Sequence, residues 1–158
     1  MSYAIIASFP TNRDIKGVLK LYDNNNRLIF GPVDALGRGS NSPLNKQNHA
    51  DWMLPDADIP TGEYQVSIVD PGNSLSSFGP HKRVWLEKAL SGNALLAEKN
   101  GRKEIMIHGG DPITDHSLPW FPLHPTLGCI RLSNTDQAAL ISAIETVGGN
   151  GKINISNH

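Results

Sequence analysis

Short apolar runs, each broken by glycine, proline or asparagine, set the rhythm of this chain. Met1 to Pro10, with Ile5, Ile6 and Phe9, reads as a first strand. Gly17 to Tyr22 and Arg27 to Phe30 are β-prone runs joined by Asp23-Asn24-Asn25-Asn26. Asn and Asp tolerate left-handed backbone angles, so the pair predicts a hairpin. Gly31 to Asp58 turns polar and irregular and predicts a long surface loop, a length that often serves binding or regulation. Pro60-Thr61-Gly62-Glu63 then leads into the alternating strand Tyr64 to Val69. Asn73 to Pro80 reads as a flexible stretch, and Arg83 to Leu90 as a strand followed by irregular structure, with Gly92 interrupting any helix. Glu104 to His108 is a short buried strand that delivers His108 to a glycine turn. The clearest helix runs from about Thr135 to Val147, with Asn134 as N-cap, Gln137 three residues on, and Gly148-Gly149 as the stop. Leu140, Ile141, Ile144 and Val147 mark its apolar face, and Lys152 to Ser156 predicts a last strand. The pattern is that of one mainly β domain over residues 1–158 with one substantial helix.

Composition narrows the picture. Of 158 residues, 39% are hydrophobic and 18% charged, which suits one globular domain with a core. Net charge is −1 and no Lys/Arg cluster stands out, so no nucleic-acid surface is expected. No apolar run approaches the ~20 residues needed to span a bilayer. The first ten residues lack the basic start and long apolar segment of a secretory signal. One cysteine excludes a disulfide-stapled scaffold.

That cysteine carries the chemistry. Cys129 lies in His124-Pro125-Thr126-Leu127-Gly128-Cys129-Ile130-Arg131, 21 positions after His108 of Ile107-His108-Gly109-Gly110. A thiol is mostly protonated at neutral pH, with a reference pKa of about 8.5, and needs a base to attack. His108 is the best placed, and the Gly109 carbonyl or another acceptor is suited to hold its tautomer. Gly128 permits a tight turn and exposes backbone N–H groups to a developing oxyanion. Losing one such donor typically costs ~10²–10³ in rate. Arg131, always cationic, is suited to hold a substrate carboxylate or to steady the loop. By type alone a lone cysteine is more often a small buried apolar residue than a catalyst; the combination favours the nucleophile.

His108, a spacer of seventeen residues, then Thr126-Leu127-Gly128-Cys129-Ile130-Arg131 resembles the signature of L,D-transpeptidase catalytic domains of the YkuD type. Pro60-Thr61-Gly62-Glu63-Tyr64 is similar to the Pro-Thr-Gly-x-aromatic segment before their central strand, and the resemblance extends over about residues 16–156. It implies a mixed, β-sandwich-like fold and no cofactor or metal. It also implies that Cys129 attacks the carbonyl between the L-centre of meso-diaminopimelate and a terminal D-residue of a peptidoglycan stem peptide. An amine (transpeptidation) or water (carboxypeptidase-type hydrolysis) then resolves the thioacyl-enzyme. By the same resemblance His108 is the base, the Gly109 carbonyl orients it, Gly128 and Cys129 supply oxyanion donors, and Thr126 and Arg131 shape the pocket.

Two departures stand out. Leu127 occupies the position where most members have histidine, and His124 is the nearest other imidazole. The segment Pro112 to Pro122, with His116, Trp120 and Phe121, is expected as a lid or substrate wall, its aromatics serving equally well as packing. The second departure is location: the substrate lies outside the cytoplasm, yet no signal peptide is read. A trimmed chain, export by a non-signal route as for a wall-attacking effector, and action on recycled muropeptides each accommodate this. Two other readings compete. One is a non-catalytic domain that binds peptidoglycan fragments on the same fold. The other is a metal hydrolase using His108, His116 and His124, which lack a His-Glu-x-x-His pattern.

Overall fold

A computed structural model describes all 158 residues. In β1 (Ser2–Phe9) every second side chain is buried, Tyr3, Ile5, Ala7 and Phe9, as a half-covered strand requires. β2 (Gly17–Asp23) and β3 (Leu28–Ala35) form the expected antiparallel hairpin. Asp23 Oδ1 closes its turn by accepting from the backbone N–H groups of Asn25 and Arg27 at 2.9 and 3.0 Å. β4 (Gly62–Val69), β5 (Arg83–Ser91), β6 (Ile105–His108), β7 (Ile130–Arg131) and β8 (Asn150–Asn157) complete one mixed sheet in the order β3-β2-β1-β8-β4-β5-β6-β7. Only β1–β8 and β6–β7 are parallel pairs. The sheet rolls until its two edges meet. Leu36, just past β3, and Arg131 of β7 exchange backbone hydrogen bonds of 3.0 and 2.9 Å.

Three helices accompany the sheet: α1 (Leu75–Phe78), α2 (Gly92–Lys99) and α3 (Asn134–Val147). α3 buries Gln137, Leu140, Ile141 and Ile144 and packs against β1, β3, β5 and β6. The chain is mainly β, with its longest helix late in the sequence, as the pattern predicts. No helix is long and apolar enough to cross a membrane.

Four local expectations are corrected. Gly31 to Ala35 belong to β3; the irregular segment begins after them and includes only a single 3-10 turn, Pro43–Asn45. Asn73 to Pro80 contains α1. Gly92 does not interrupt a helix. With φ 71° it makes the bend at which β5 ends and α2 begins, a conformation that glycine adopts at little cost. The N-cap of α3 is Ser133, whose hydroxyl accepts from Asp136 N–H at 3.1 Å. Asn134 is occupied elsewhere: its Oδ1 accepts from Gly110 N–H at 2.8 Å.

Candidate active site

Strand alternation builds the site. β6 and β7 run in parallel with Ile107 opposite Ile130 and His108 opposite Arg131. Ile107 and Ile130 are fully buried in the core. Met106, His108, Cys129 and Arg131 line the other side, a cavity of about 680 Å³. On β5, Val84 pairs with Ile107, so Arg83 stands level with His108 and lines the same cavity. His108 is thus flanked by an arginine on each neighbouring strand.

His108 is 1% exposed, and its Nδ1 lies 2.6 Å from the Gly109 carbonyl. A carbonyl only accepts, so Nδ1 carries the proton and Nε2 is left as a lone-pair acceptor. That Nε2 is buried and has no partner. Burial, aided by Arg131 and Arg83, lowers the imidazole pKa to about 4 against the pull of the Gly109 carbonyl. At neutral pH the ring is therefore uncharged and able to take a proton. Phe78 of α1 sets its ring against the imidazole, centroids 4.6 Å apart at 62°.

Cys129 is 7% exposed. Burial pushes the thiol pKa up, opposed by the Met106 backbone N–H and by Arg102, Arg131 and Arg83. Burial thus favours the uncharged form of both the thiol and the imidazole, and no hydrogen bond joins them. Sγ makes one long hydrogen-bond contact, to the Glu104 carbonyl at 3.9 Å.

The turn around the cysteine is tied at both ends of one peptide. Thr126 Oγ1 accepts from Cys129 N–H at 2.7 Å and donates to the Cys129 carbonyl at 3.0 Å. The Gly128 carbonyl accepts from Arg102 Nη2 at 3.2 Å. One expected oxyanion donor, Cys129 N–H, is therefore already engaged. Gly128 N–H bonds to nothing within the chain and remains available. Glycine is required there: φ is +99°, and a Cβ would approach Ala57 O and Arg102 Nη2 within 3.0 Å. At Gly109 a Cβ would run into the Asn134 amide.

Arg131 directs Nη2 to Ser77 O at 2.9 Å and Nη1 to Asp111 O at 3.5 Å. It steadies the α1 segment more than it offers a free fork, and burial lowers its pKa to about 10. The rest of the expected wall divides. His124 and Pro112 line the cavity, and Leu127, 64% exposed, stands at its rim. His116 instead stacks on Phe121 at 4.0 Å, and Arg38 lies over Trp120 at 4.7 Å. None of these three side chains lines the cavity; they pack against their neighbours, and Pro112 is the part of the segment that forms wall. His108, His116 and His124 do not converge, and no group of three or more His, Cys, Asp or Glu side chains is placed to hold a metal ion.

Two residues escaped the sequence. Arg102, 4% exposed, donates to the carbonyls of Trp52, Asp58, Ala57 and Gly128, clamping the long loop to the cysteine turn. Arg83, 6% exposed, lies over the Phe78 ring at 4.7 Å. Neither has a sequence signal. Arg83 only opens the run read as a strand, and Arg102 falls outside every run that carries a motif.

No family model matches the chain, and no curated protein does. Among solved structures it is similar to Bd1075 of Bdellovibrio bacteriovorus, with a TM-score of 0.54 and 14% identity over 98% of this chain and 47% of that one. The likeness is one of fold. The helical cell shape determining protein Pgp2 of Campylobacter jejuni matches with a TM-score of 0.48 and 17% identity over 99% of this chain and 48% of its own. The chain spans about half the length of each of these proteins.

Proposed function

We propose that this protein is a cysteine-dependent acyltransferase or peptidase acting on peptidoglycan stem peptides through a thioacyl-enzyme on Cys129. The observation that carries the reading is that a buried thiol and a buried, neutral histidine line one cavity. The Gly109 carbonyl fixes the histidine tautomer and leaves Nε2 unpartnered. The substrate class rests on the resemblance of the Thr126–Arg131 run and the His108 strand to L,D-transpeptidase catalytic domains.

In this mechanism Sγ attacks the carbonyl of the L-centre of diaminopimelate while its proton passes to His108 Nε2. With both groups neutral at rest, transfer and attack are coupled, as general-base catalysis requires. Charge builds on the carbonyl oxygen, and Gly128 N–H is the free donor for it. His108 returns the proton to the departing amine of the terminal D-residue. An incoming amine or water then attacks the thioester by the same route in reverse. Thr126 and Arg102 hold the Gly128–Cys129 peptide still throughout.

Mass spectrometry of muropeptide mixtures tests the reading. Tetrapeptide and pentapeptide muropeptides incubated with the protein are expected to lose a terminal D-residue or gain a crosslink, and to be unchanged by Cys129→Ala. Products that persist in Cys129→Ala would remove the thioacyl route. Tight binding with no product from either protein would favour a fragment-binding domain.

A further inference from the structure

Two side chains one turn apart on α3 hold the backbone on either side of His108. Gln137, 1% exposed, donates through Nε2 to the Ile107 carbonyl at 3.1 Å and to Lys82 O at 2.8 Å. Asn134 Oδ1 accepts from Gly110 N–H at 2.8 Å. A peptide N–H only donates, so the Asn134 amide must turn its oxygen towards it. Gly110 N–H and the Gly109 carbonyl belong to one peptide group, which is trans, so the two point in opposite directions. That peptide is gripped from both sides: Asn134 on its nitrogen, and the His108 imidazole on its oxygen at 2.6 Å. It has no other partner within the chain. Glycine makes room for the Asn134 amide from two segments, since a Cβ on Gly79 or on Gly109 would collide with Oδ1. The helix does not need Asn134, because Ser133 caps it.

We infer that Asn134 is a positioning residue that selects the tautomer of His108. A peptide between two glycines has no side chain to oppose its rotation, so it turns over readily unless something holds it. Turned over, it presents an N–H to Nδ1 in place of a carbonyl. Nδ1 then becomes the acceptor, and the proton moves to Nε2. Held by Asn134, the same peptide keeps its carbonyl on Nδ1 and leaves Nε2 bare. The bond to Asn134 also polarises the peptide, since a donating N–H makes its own carbonyl a better acceptor. The neighbouring backbone is fixed independently, with Ile107 O held by Gln137 and His108 O by Leu132 N–H at 2.9 Å. Asn134 therefore controls the one peptide on which the tautomer depends. That the bare Nε2 takes a proton from Cys129 rests on the function proposed above; the choice of tautomer does not.

NMR of the imidazole nitrogens reads the tautomer directly and without any muropeptide. At neutral pH the native protein is expected to show His108 with a protonated Nδ1 and a bare Nε2. Asn134→Ala should bring up the Nε2–H form. It should also lower kcat on muropeptides by roughly tenfold, the effect of one orienting hydrogen bond, with KM changed less than about twofold. Asn134→Asp keeps an acceptor for Gly110 N–H and should restore the Nδ1–H form and most of kcat. Ser133→Ala removes the helix cap and should lower the melting temperature without moving the tautomer. An unchanged Nδ1–H form in Asn134→Ala, or the same shift in Ser133→Ala, would overturn the inference. If Asn134→Ala does not fold, native protein still decides. Gly110 N–H should exchange with deuterium at least about tenfold more slowly than an unbonded loop amide. Free exchange at Gly110, or a proton on Nε2, overturns the inference. The two proposals fail separately. A tautomer shift in Asn134→Ala without muropeptide turnover by the native protein keeps the positioning role and removes the peptidoglycan reading. Equal turnover by native protein and Asn134→Ala, with the Nδ1–H form in both, keeps the enzyme and removes the role of Asn134.

Discussion

Arg102 and Arg83 are both buried in the walls around Cys129, at 4% and 6% exposure, yet the chain provides for them in opposite ways. Arg102 meets carbonyls from Trp52, Ala57, Asp58 and Gly128 and joins three segments. Arg83 meets one, at the long distance of 3.3 Å. A cation given all its acceptors by the fold belongs to the structure of the turn. Arg83 lines the cavity with a buried Nε that has no partner. The same distinction separates Thr126, whose hydroxyl closes a ring on Cys129, from His108 Nε2, which has no partner. Thr126 and Arg102 hold the turn that presents the nucleophile, and His108 Nε2 is left free in the cavity that the nucleophile lines.

Substitutions on either side of this divide should therefore behave differently. On the reactive side, Cys129→Ala should lower turnover by about 10⁴-fold or more without loss of the folded baseline, read by steady-state product formation and thermal melting. His108→Ala should cost about 10²–10⁴-fold, and the double variant little beyond Cys129→Ala, because the two act as one unit. On the structural side, Arg102→Met should leave carbonyls unpaired and destabilise the fold by about 3 kcal/mol, measured by urea unfolding. A stable, inactive Arg102→Met would instead move that residue across the divide.

Acid tests the same contrast through His108. Its folded pKa of about 4 lies below the ordinary 6.5, so the folded state excludes a proton that the unfolded chain accepts. The contribution is intact above pH 6.5 and is lost as the pH falls towards 4, by roughly 3 kcal/mol. Urea midpoints from pH 7.5 to 4.5 should fall more steeply in the native protein than in His108→Gln. Parallel curves would contradict the burial account. The smallest effect is expected at Leu127, 64% exposed at the rim. Leu127→His should shift the ratio of crosslinked to hydrolysed product less than tenfold, on the order of 1 kcal/mol. An unchanged ratio would exclude that position from acceptor choice.

The strands were legible where burial alternates. β1, β4 and the β2–β3 hairpin follow from side chains that must face either core or solvent. α2 was hidden because Gly92 reads as a breaker, whereas its left-handed bend launches the helix. The cap of α3 was displaced by one residue because Ser133 and Asn134 are both suitable caps, and only the approach of Gly110 assigns Asn134 another role. Cys129, His108 and Gly109 were legible because their relation is compressed into two short runs. Arg83 and Arg102 were not. Their partners are backbone carbonyls and a ring from distant segments, and a backbone carbonyl leaves no mark on the sequence.

In the proposed mechanism Cys129 carries the acyl group. Intact-protein mass spectrometry after acid quenching of a reaction with a tetrapeptide muropeptide tests it most directly. An added mass equal to the donor less its terminal D-residue is expected, mapped to the peptide containing Cys129 and absent from Cys129→Ala. Product formation with no adduct on Cys129, undiminished in Cys129→Ala, would contradict it.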